Sequence, residues 1–335
     1  MKPFELSRAA TLDAALRDLR AGDGQVLKAG GIDLLDLMKE ELIAPKRLVS
    51  IVGVDPLAKI DALSGGRLRL GALTPLHQLA EDATVRSLLP ALSDACGGAA
   101  TPQIRRVATL GGNLHQRPRC WYFRSAEFPC LKKGGSTCYA QAGENRFHAI
   151  FDNTRCAAVH ASAAATALLA YDAMLVIASS PAAGQGSRRE AALSKHFVKP
   201  EEDVTREHRL LAGDIVEAVL VPAAAPGKER KSAYLKMKER QAFDWPLAEV
   251  AVVLELDGTK CTSARIVLGA AAPVPWRSEE AEAQLTGKVI DESLARSAGA
   301  AAVRVATPLA QNGYKTQLFE VLVRRAILAA IGGAK

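Results

Sequence analysis

The stretch Ala108-Thr-Leu-Gly-Gly-Asn-Leu-His-Gln116 says most about the fold of this 335-residue chain. Its paired glycines let the backbone approach a ligand closely, and a hydroxyl and an amide beside them suit phosphate oxygens. Four cysteines follow directly, at Cys120, Cys130, Cys138 and Cys156. The two features together indicate a redox cofactor beside a nucleotide cofactor.

A second glycine pair lies upstream, in Gln25-Val-Leu-Lys-Ala-Gly-Gly-Ile-Asp-Leu-Leu-Asp-Leu-Met38. This pattern predicts a strand, a glycine turn and a helix, an order that places free backbone N–H groups where a diphosphate is held. A plain strand-to-helix turn explains Gly30 and Gly31 equally well. Two glycine elements in one chain nevertheless favour a long cofactor with two ends. Neither is the G-x-G-x-x-G of a nicotinamide-binding fold.

The four cysteines have the ligand chemistry of a metal centre. Thiolates are selected by iron–sulfur clusters and by zinc, and four of them complete either site. Their separations of nine, seven and seventeen residues lack the C-x-x-C of most zinc ribbons, so buried or disulfide-bonded thiols remain an alternative. Basic residues that would offset thiolate charge surround them: Arg117, Arg119, Arg124, Lys132 and Lys133. Cys96 and Cys261 are predicted to be ordinary core thiols.

Composition narrows the class of protein. A hydrophobic content of 49% in a chain of this length predicts at least two domains. No apolar run reaches 18 residues, so no membrane span is expected. The net charge of +7 is scattered and only 5% of residues are aromatic, which argues against a nucleic-acid partner. The opening residues, Met1 to Leu6, lack the features of an export signal.

Hydrophobic periodicity predicts the main elements. In the first part we expect helices over 12–20, 76–82, 85–96 and 161–170, strands over 47–54 and 173–178, a hairpin over 62–72 and a loop over 179–189. The small residues Ala223 to Gly227 mark a domain boundary. Beyond it, strands over 232–238, 248–256 and 261–269 and helices over 278–285, 290–302 and 314–330 predict a small α+β domain with its sheet first.

The chain resembles, nearly end to end, the flavin-binding medium subunit of the molybdenum hydroxylases, the xanthine dehydrogenase and carbon monoxide dehydrogenase family. Ala29–Leu35 and Ala108–Asn113 correspond to the family's two FAD-diphosphate motifs, and Tyr234–Asp244 resembles the motif that opens its C-terminal domain. Among the branches, the chain is most similar to the FAD and 4Fe-4S subunit of bacterial periplasmic aldehyde oxidoreductase. There, an arginine-rich stretch like Gln116–Arg124 begins an inserted loop that carries the cluster. The family's usual threonine is Ile32 here, which removes one hydroxyl donor but no backbone N–H group.

This resemblance implies an α+β fold in two parts. The first is a PCMH-type (vanillyl-alcohol oxidase-like) two-lobed FAD-binding domain over 1–222, with a 4Fe-4S insertion loop over 116–157. The second, over 228–335, is a CO dehydrogenase flavoprotein-like C-terminal domain with a small three-stranded sheet plus helices. The cysteines Cys120, Cys130, Cys138 and Cys156 are the expected cluster ligands. The expected FAD-binding residues are Leu27, Lys28, Ala29, Gly30, Gly31, Ile32, Asp33, Leu34, Thr109, Gly111, Gly112, Asn113, His115, Asp172 and Lys236.

Three of these expected positions carry specific roles. By the resemblance, Asp172 matches a position near the adenosine end of FAD and Lys236 one near the flavin, although a helix-terminal charge and a surface lysine explain them equally well. His115 is expected at the flavin or the diphosphate. His148 and His160 flank Cys156 and are candidates for contacts around the ligands, with solvated or core histidines as the alternative.

The function implied by the resemblance is electron transfer, with no catalytic residue on this chain. An aldehyde would be oxidised at a molybdopterin centre in a large subunit. Electrons would then pass through two 2Fe-2S clusters of a small subunit to FAD and the 4Fe-4S cluster here, and on to ferredoxin, quinone or oxygen. The alternatives are a subunit of a ferredoxin-linked hydroxybenzoyl-CoA reductase-type enzyme, a stand-alone flavin oxidase and a zinc-stabilised assembly subunit. The expected compartment is the periplasm, by co-export with a signal-bearing partner, or the cytoplasm.

Overall fold

Three sheets organise the chain in a computed structural model that describes residues 1–19, 24–179 and 187–332. The described strands are β1 Glu5–Arg8, β2 Gln25–Lys28, β3 Arg47–Ser50, β4 Ile60–Ala62, β5 Leu68–Gly71, β6 Met174–Ser179, β7 Arg188–Ala192, β8 Asp214–Val221, β9 Glu229–Met237, β10 Ala248–Asp257, β11 Lys260–Gly269 and β12 Trp276–Arg277. The described α-helices are α1 Leu12–Asp18, α2 Ile32–Lys39, α3 Leu76–Glu81, α4 Ala83–Leu88, α5 Pro90–Gly97, α6 Pro102–Val107, α7 Leu110–Leu114, α8 Trp121–Arg124, α9 Ala163–Ala170, α10 Glu279–Leu285, α11 Glu292–Val303 and α12 Tyr314–Ala330.

The first sheet is small and parallel, in the order β1-β3-β2. The predicted strand, glycine turn and helix are β2, Gly30-Gly31 and α2. A buried apolar cluster under this sheet joins Ala15, Leu16, Val49 and Ile51, so α1 packs on its face. This lobe presents the start of α2 at its edge.

The second sheet is antiparallel, with five strands in the order β4-β5-β8-β6-β7. Its first two strands are the predicted hairpin, turning through Ser64–Gly66. All eight residues of α9 are buried. Alanines at five of these positions allow α9 to lie tightly between this sheet and the third.

The third sheet is antiparallel in the order β12-β11-β10-β9 and packs on both faces. Along β10, Val250, Val252 and Leu254 join the core under α11 and α12, whereas Ala251 and Val253 join the core around α9. This alternation is the two-residue period of a strand. The mixed helix and sheet content confirms the predicted α+β class.

Several predicted boundaries differ from the structure. The sequence predicts three strands in the last sheet, but a fourth, β12, is only two residues long and too short to leave a pattern. The predicted helix over 85–96 is divided because Pro90 begins a new helix, α5, after Leu89. The predicted strand over 47–54 ends at Ser50.

Two predicted elements extend beyond the residues that the structure describes. Helix α1 ends at Asp18, because Leu19 is already extended, and Arg20, the last residue of the predicted helix, lies outside the described chain. The predicted loop over 179–189 also falls mostly outside it, at 180–186, while Arg188 and Arg189 belong to strand β7 and not to a loop. Across the ranges that are described, no helix combines the length and apolarity needed to cross a membrane.

Candidate cofactor sites

A large cavity of about 920 Å³ opens between the first lobe, the second glycine motif and the third sheet. Both glycine motifs lie on its wall, although the sequence separates them by about 80 positions. The expected FAD-binding residues that line it are Leu27, Ala29, Gly30, Gly31, Ile32, Asp33, Leu34, Thr109, Gly111, Gly112, Asn113, His115 and Lys236. The volume lies in the upper range of ligand pockets, as a dinucleotide requires.

The first glycine motif depends on glycine at both positions. Gly31 is the N-cap of α2 with φ of 81°, a left-handed conformation that side chains disfavour. A Cβ atom on Gly30 would lie 2.1 Å from the carbonyl oxygen of Val107, just before the second motif. The backbone at the start of the second motif therefore lies directly against Gly30. Helix α2 starts on the cavity wall, where its first N–H groups have no acceptor within the helix.

The second motif is the short helix α7, capped by Thr109. The Thr109 hydroxyl accepts from the Gly112 N–H at 3.2 Å, and the Asn113 Oδ1 accepts from the Ser162 hydroxyl at 2.7 Å. Behind the motif, the Gly111 N–H donates to the Ala72 carbonyl at 2.7 Å. A side chain at Gly111 would crowd Ala72 at 3.1 Å. The motif is thus fixed in place with small residues facing the cavity.

Three histidines support this motif: His115 and His208 line the cavity, and His196 is buried behind them. His115 Nδ1 lies 2.7 Å from the Gly111 carbonyl, which accepts only, so Nδ1 carries the proton. His115 Nε2 then accepts from His196 Nε2 at 2.9 Å. Burial lowers the pKa of His115 to about 3, which keeps this chain of rings neutral. His196 and His208 were not predicted, because 81 positions or more separate them from His115 and no local motif marks them.

Asp33 lies on the wall, but its carboxylate is already engaged. It accepts from the Arg117 backbone N–H at 2.8 Å, from Arg119 at 2.7 Å and from Arg124 at 2.6 Å. All three donors belong to the arginine-rich start of the segment 116–157. The expected FAD contact of Asp33 is therefore through its backbone, while its side chain ties α2 to that segment.

Two expected residues do not line the cavity. Asp172, at the end of α9 with φ of 52°, forms an ion pair with Arg265 of β11 at 2.9 Å. The structure thus gives it a contact between α9 and the third sheet, away from the cavity wall. The Lys28 ammonium donates to the adjacent Ala29 carbonyl at 3.2 Å.

Sequence reasoning missed part of the wall near Lys236. Glu249 pairs with Lys236 across β9 and β10, and both line the cavity. Burial raises the pKa of the Glu249 carboxyl, and burial lowers the pKa of Lys236. A glutamate inside the apolar strand Ala248-Glu-Val-Ala-Val-Val253 was an available signal. The exposed aromatic rings of Phe243 and Trp245 also lie at the cavity and were not predicted as site residues.

The four clustered cysteines line one small cavity, separate from the first. Cys120, Cys130, Cys138 and Cys156 share its wall with Tyr122, Phe123, Leu131, Lys132, Tyr139, Ala140 and Ala158. All six cysteines of the chain lie in the described ranges and none is disulfide bonded. In those ranges, no group of three or more His, Cys, Asp or Glu converges closely enough to hold a single metal ion. The four thiols instead lie around the wall of the small cavity.

Burial keeps two of these thiols protonated when no metal is bound. Burial raises the pKa of Cys120 to about 12 and that of Cys156 to about 11. Metal binding would therefore have to displace the protons, as thiolate ligation does. The buried Lys132 ammonium lowers the pKa of Cys156 and pairs with Glu207 at 2.9 Å.

A single layer of side chains separates the two cavities. Leu37 of α2, on the wall of the large cavity, packs in one buried cluster with Phe123 and Cys130 of the cysteine cavity. The Arg117 guanidinium lies 4.6 Å from the centre of the Phe123 ring. Arg117 also pairs with Glu207 at 2.9 Å. Two cofactors held in these cavities would be near neighbours.

Sequence families cover almost the whole chain. Residues 2–224 match the family described as the FAD binding domain in molybdopterin dehydrogenase, and residues 232–330 match the CO dehydrogenase flavoprotein C-terminal domain. The chain is 34% identical over 339 residues to the aldehyde oxidoreductase FAD-binding subunit of Escherichia coli (strain K12), covering 100% of this chain and 99% of that protein. It is 26% identical over 314 residues to the carbon monoxide dehydrogenase medium chain of Hydrogenophaga pseudoflava, covering 92% and 90%.

Solved structures share the same fold. A carbon monoxide dehydrogenase from Hydrogenophaga pseudoflava superposes with a TM-score of 0.74 at 26% identity, covering 98% of both chains. Reconstituted carbon monoxide dehydrogenase from Oligotropha carboxidovorans gives a TM-score of 0.75 at 23% identity, covering 99% of both chains. The second likeness concerns the fold alone.

Proposed function

The chain belongs to the FAD-binding medium subunits of the molybdenum hydroxylase family, and from this premise we propose that it is the electron-transfer subunit of a heterotrimeric, molybdenum-dependent aldehyde oxidoreductase. In this proposal it binds FAD in the large cavity and a 4Fe-4S cluster in the cysteine cavity. One observation carries the proposal: four unpaired thiols surround a space one layer of side chains away from the cavity that both glycine motifs line.

The large cavity fits FAD by its size and by its donors. The backbone N–H groups of Gly30, Gly31 and Ile32 at the start of α2 would hold the diphosphate. Gly111 and Gly112, whose own N–H groups bond to Ala72 and Thr109, would let it approach closely because they carry no side chain. Ile32 offers no hydroxyl, so the backbone alone donates at that position. Lys236 and Glu249 lie on the same wall, at the third sheet, where the family resemblance puts the flavin.

The cysteine cavity fits a cluster by the chemistry of its donors. Four thiolates are the ligand set of a 4Fe-4S cluster, and the tight turns at Gly134 and Gly135 shape the loop around them. Gly135 is required there, because a Cβ atom would lie 1.8 Å from the Pro129 carbonyl oxygen. When bound, FAD accepts two electrons and releases them singly, whereas the cluster carries one electron.

The partners and substrate follow from the relatives. The carbon monoxide dehydrogenase relative is named a medium chain, and the E. coli relative an aldehyde oxidoreductase subunit. We extend this to a molybdopterin-binding large subunit and a 2Fe-2S small subunit as partners of this chain. Oxidation of an aldehyde to a carboxylic acid takes an oxygen atom from water and releases two electrons and two protons. Those electrons would leave through this chain to an external acceptor such as ferredoxin, quinone or oxygen.

Substitution of one cysteine inside the cavity and one outside it tests the cluster assignment. Cys130→Ser should remove the 4Fe-4S EPR signal and its iron while most FAD remains, since the serine leaves both glycine motifs untouched. The matched control is Cys261→Ser, a buried thiol in the last sheet that should retain both cofactors. Full iron content in the Cys130 variant, measured against protein, would remove Cys130 from the ligand set.

A further inference from the structure

His148 makes a contact that its role in the fold does not require. Its ring is buried, and Nε2 lies 3.2 Å from the Sγ of Cys120, within reach of a hydrogen bond to sulfur. Nδ1 is buried too and has no hydrogen-bond partner in the described part of the chain. The sequence placed His148 near Cys156, whereas the structure brings it to Cys120.

The backbone that carries this ring is held by helix α12 and by the turn before it. The His148 carbonyl accepts from Asn312 Nδ2 at 3.1 Å and from the Lys315 ammonium at 3.1 Å. Its own N–H donates to the Asn145 carbonyl at 3.0 Å. The imidazole also packs edge-on against Trp121, with 5.2 Å between ring centres. A ring fixed from behind in this way keeps a constant distance to the sulfur.

The surroundings decide which nitrogen carries the proton. A cluster-bound cysteine has lost its proton, so Sγ only accepts, and a lone pair on Nε2 would face it unfavourably. A proton on Nδ1 would also leave a buried N–H without an acceptor, which is costly. Both arguments place the proton on Nε2, where it donates to Cys120.

We propose that His148 is a positioning residue that donates a hydrogen bond to the Cys120 thiolate and raises the reduction potential of the 4Fe-4S cluster. This inference rests on the proposed function, because it requires the cluster. Reduction adds negative charge to a cluster, and donors aimed at its sulfurs stabilise that charge. Removing the donor should therefore make the cluster harder to reduce.

The test is an EPR-monitored redox titration of the intact complex with three histidine variants. His148→Phe keeps a planar ring but removes the donor, so the midpoint potential of the cluster should become more negative. His148→Gln places an amide N–H near the position of Nε2 and should restore most of the shift. The control His77→Phe makes the same change on helix α3, where His77 faces Glu81. It should leave the potential unchanged.

The outcomes distinguish failure of the His148 hydrogen bond from failure of the proposed function. An equal potential in the wild type and His148→Phe would overturn the inference while leaving the cluster assignment intact. A wild-type complex without any 4Fe-4S signal would overturn the proposed function itself. If His148→Phe binds no cluster, pulsed EPR of ¹⁵N-histidine-labelled wild type decides: a histidine nitrogen coupled to the reduced cluster supports the hydrogen bond, and its absence contradicts it.

Discussion

Gly30 lies where two backbone segments meet, so its lack of a side chain is a structural requirement. Its α-hydrogen points at the Val107 carbonyl, next to the second motif, and Gly31 beside it takes the left-handed conformation that starts α2. The contact brings two chain segments distant in sequence together on one cavity wall. At Gly30 and Gly31 the cavity wall is formed by backbone atoms, because neither residue has a side chain.

Gly30→Ala should lower both FAD content and stability. The added Cβ would lie 2.1 Å from the Val107 carbonyl oxygen, so the two motifs must move apart. Such overpacking costs about 1–3 kcal/mol of unfolding free energy. Thermal unfolding and flavin absorbance per chain measure both effects. Gly313→Ala is the control, because its Cβ would meet nothing within 4 Å and its φ of −57° suits alanine. Normal flavin content in Gly30→Ala would show that the contact does not shape the site.

Sequence locates a site residue when its geometry is local. The glycine motifs could be predicted, because a turn that starts a helix is encoded by adjacent residues. Glu249 and His208 escaped prediction because they reach the cavity only through the packing of distant segments. The sequence also could not show that Asp172 lies away from the cavity wall, because its ion-pair partner, Arg265, belongs to the distant last sheet.

At the scale of elements, α2 and the arginine-rich segment behave as one unit. Asp33 in the first turn of α2 receives the Arg117 N–H and the side chains of Arg119 and Arg124. Sequence predicts the glycine motif and the cysteine segment as separate elements, and nothing in its pattern pairs a single aspartate with these arginines. The structure connects them, so the loop that carries the thiols is anchored at the start of the flavin motif.

Asp33→Asn should weaken both cofactor sites together. It removes the charge that makes the shortest ion pairs with Arg119 and Arg124, and only the longer pairs of these arginines with Asp36 and Glu40 remain. An unmatched buried donor costs about 1–3 kcal/mol, so we expect lower stability and partial loss of iron and FAD alike. Glu292→Gln is the control, an exposed partner of Arg296 that should change stability by less than about 1 kcal/mol. Loss of FAD with full iron retention would argue that the two elements are independent.

Helices and strands could be predicted where their hydrophobic residues repeat over enough positions to show a period. Helix α12 covers the predicted range, because seventeen residues repeat a buried face. Strand β12 has two residues and no period, and it is paired only through its register with Val267 and Leu268. The break at Pro90 was available in the sequence, since proline cannot continue a helix but starts one readily.

Across the whole molecule, the turn that precedes helix α12 supports the cysteine segment. Asn145 and Gln311 exchange two hydrogen bonds of 3.0 Å between side chain and backbone. Asn312 donates to the carbonyls of His148 and Ala149 at 3.1 and 3.2 Å. This turn thus holds the base of a long loop that has little regular structure of its own. No sequence pattern shows this, because the partners lie more than 160 positions apart.

Asn312→Ala should release iron before it releases FAD. The substitution removes one of the two donors to each of the His148 and Ala149 carbonyls and leaves the Leu309 N–H without its acceptor, at about 1–3 kcal/mol. It loosens the cysteine segment without touching either glycine motif. Iron loss to a chelator over time, followed beside flavin absorbance, measures the difference. Gln317→Ala, an exposed position on the adjacent helix α12, is the control. Parallel loss of both cofactors would show that the turn at Asn312 stabilises the whole molecule uniformly.

The central claim is that one chain carries FAD and a 4Fe-4S cluster in adjacent cavities for electrons that originate on a partner. The most direct test is anaerobic purification of the chain with its partners, quantification of iron, zinc, FAD and molybdenum, and EPR of the reduced complex. We predict one FAD and a 4Fe-4S signal assigned to this chain, with molybdenum on a partner subunit. Zinc in the cysteine cavity and no flavin would contradict the account from the cofactors upward.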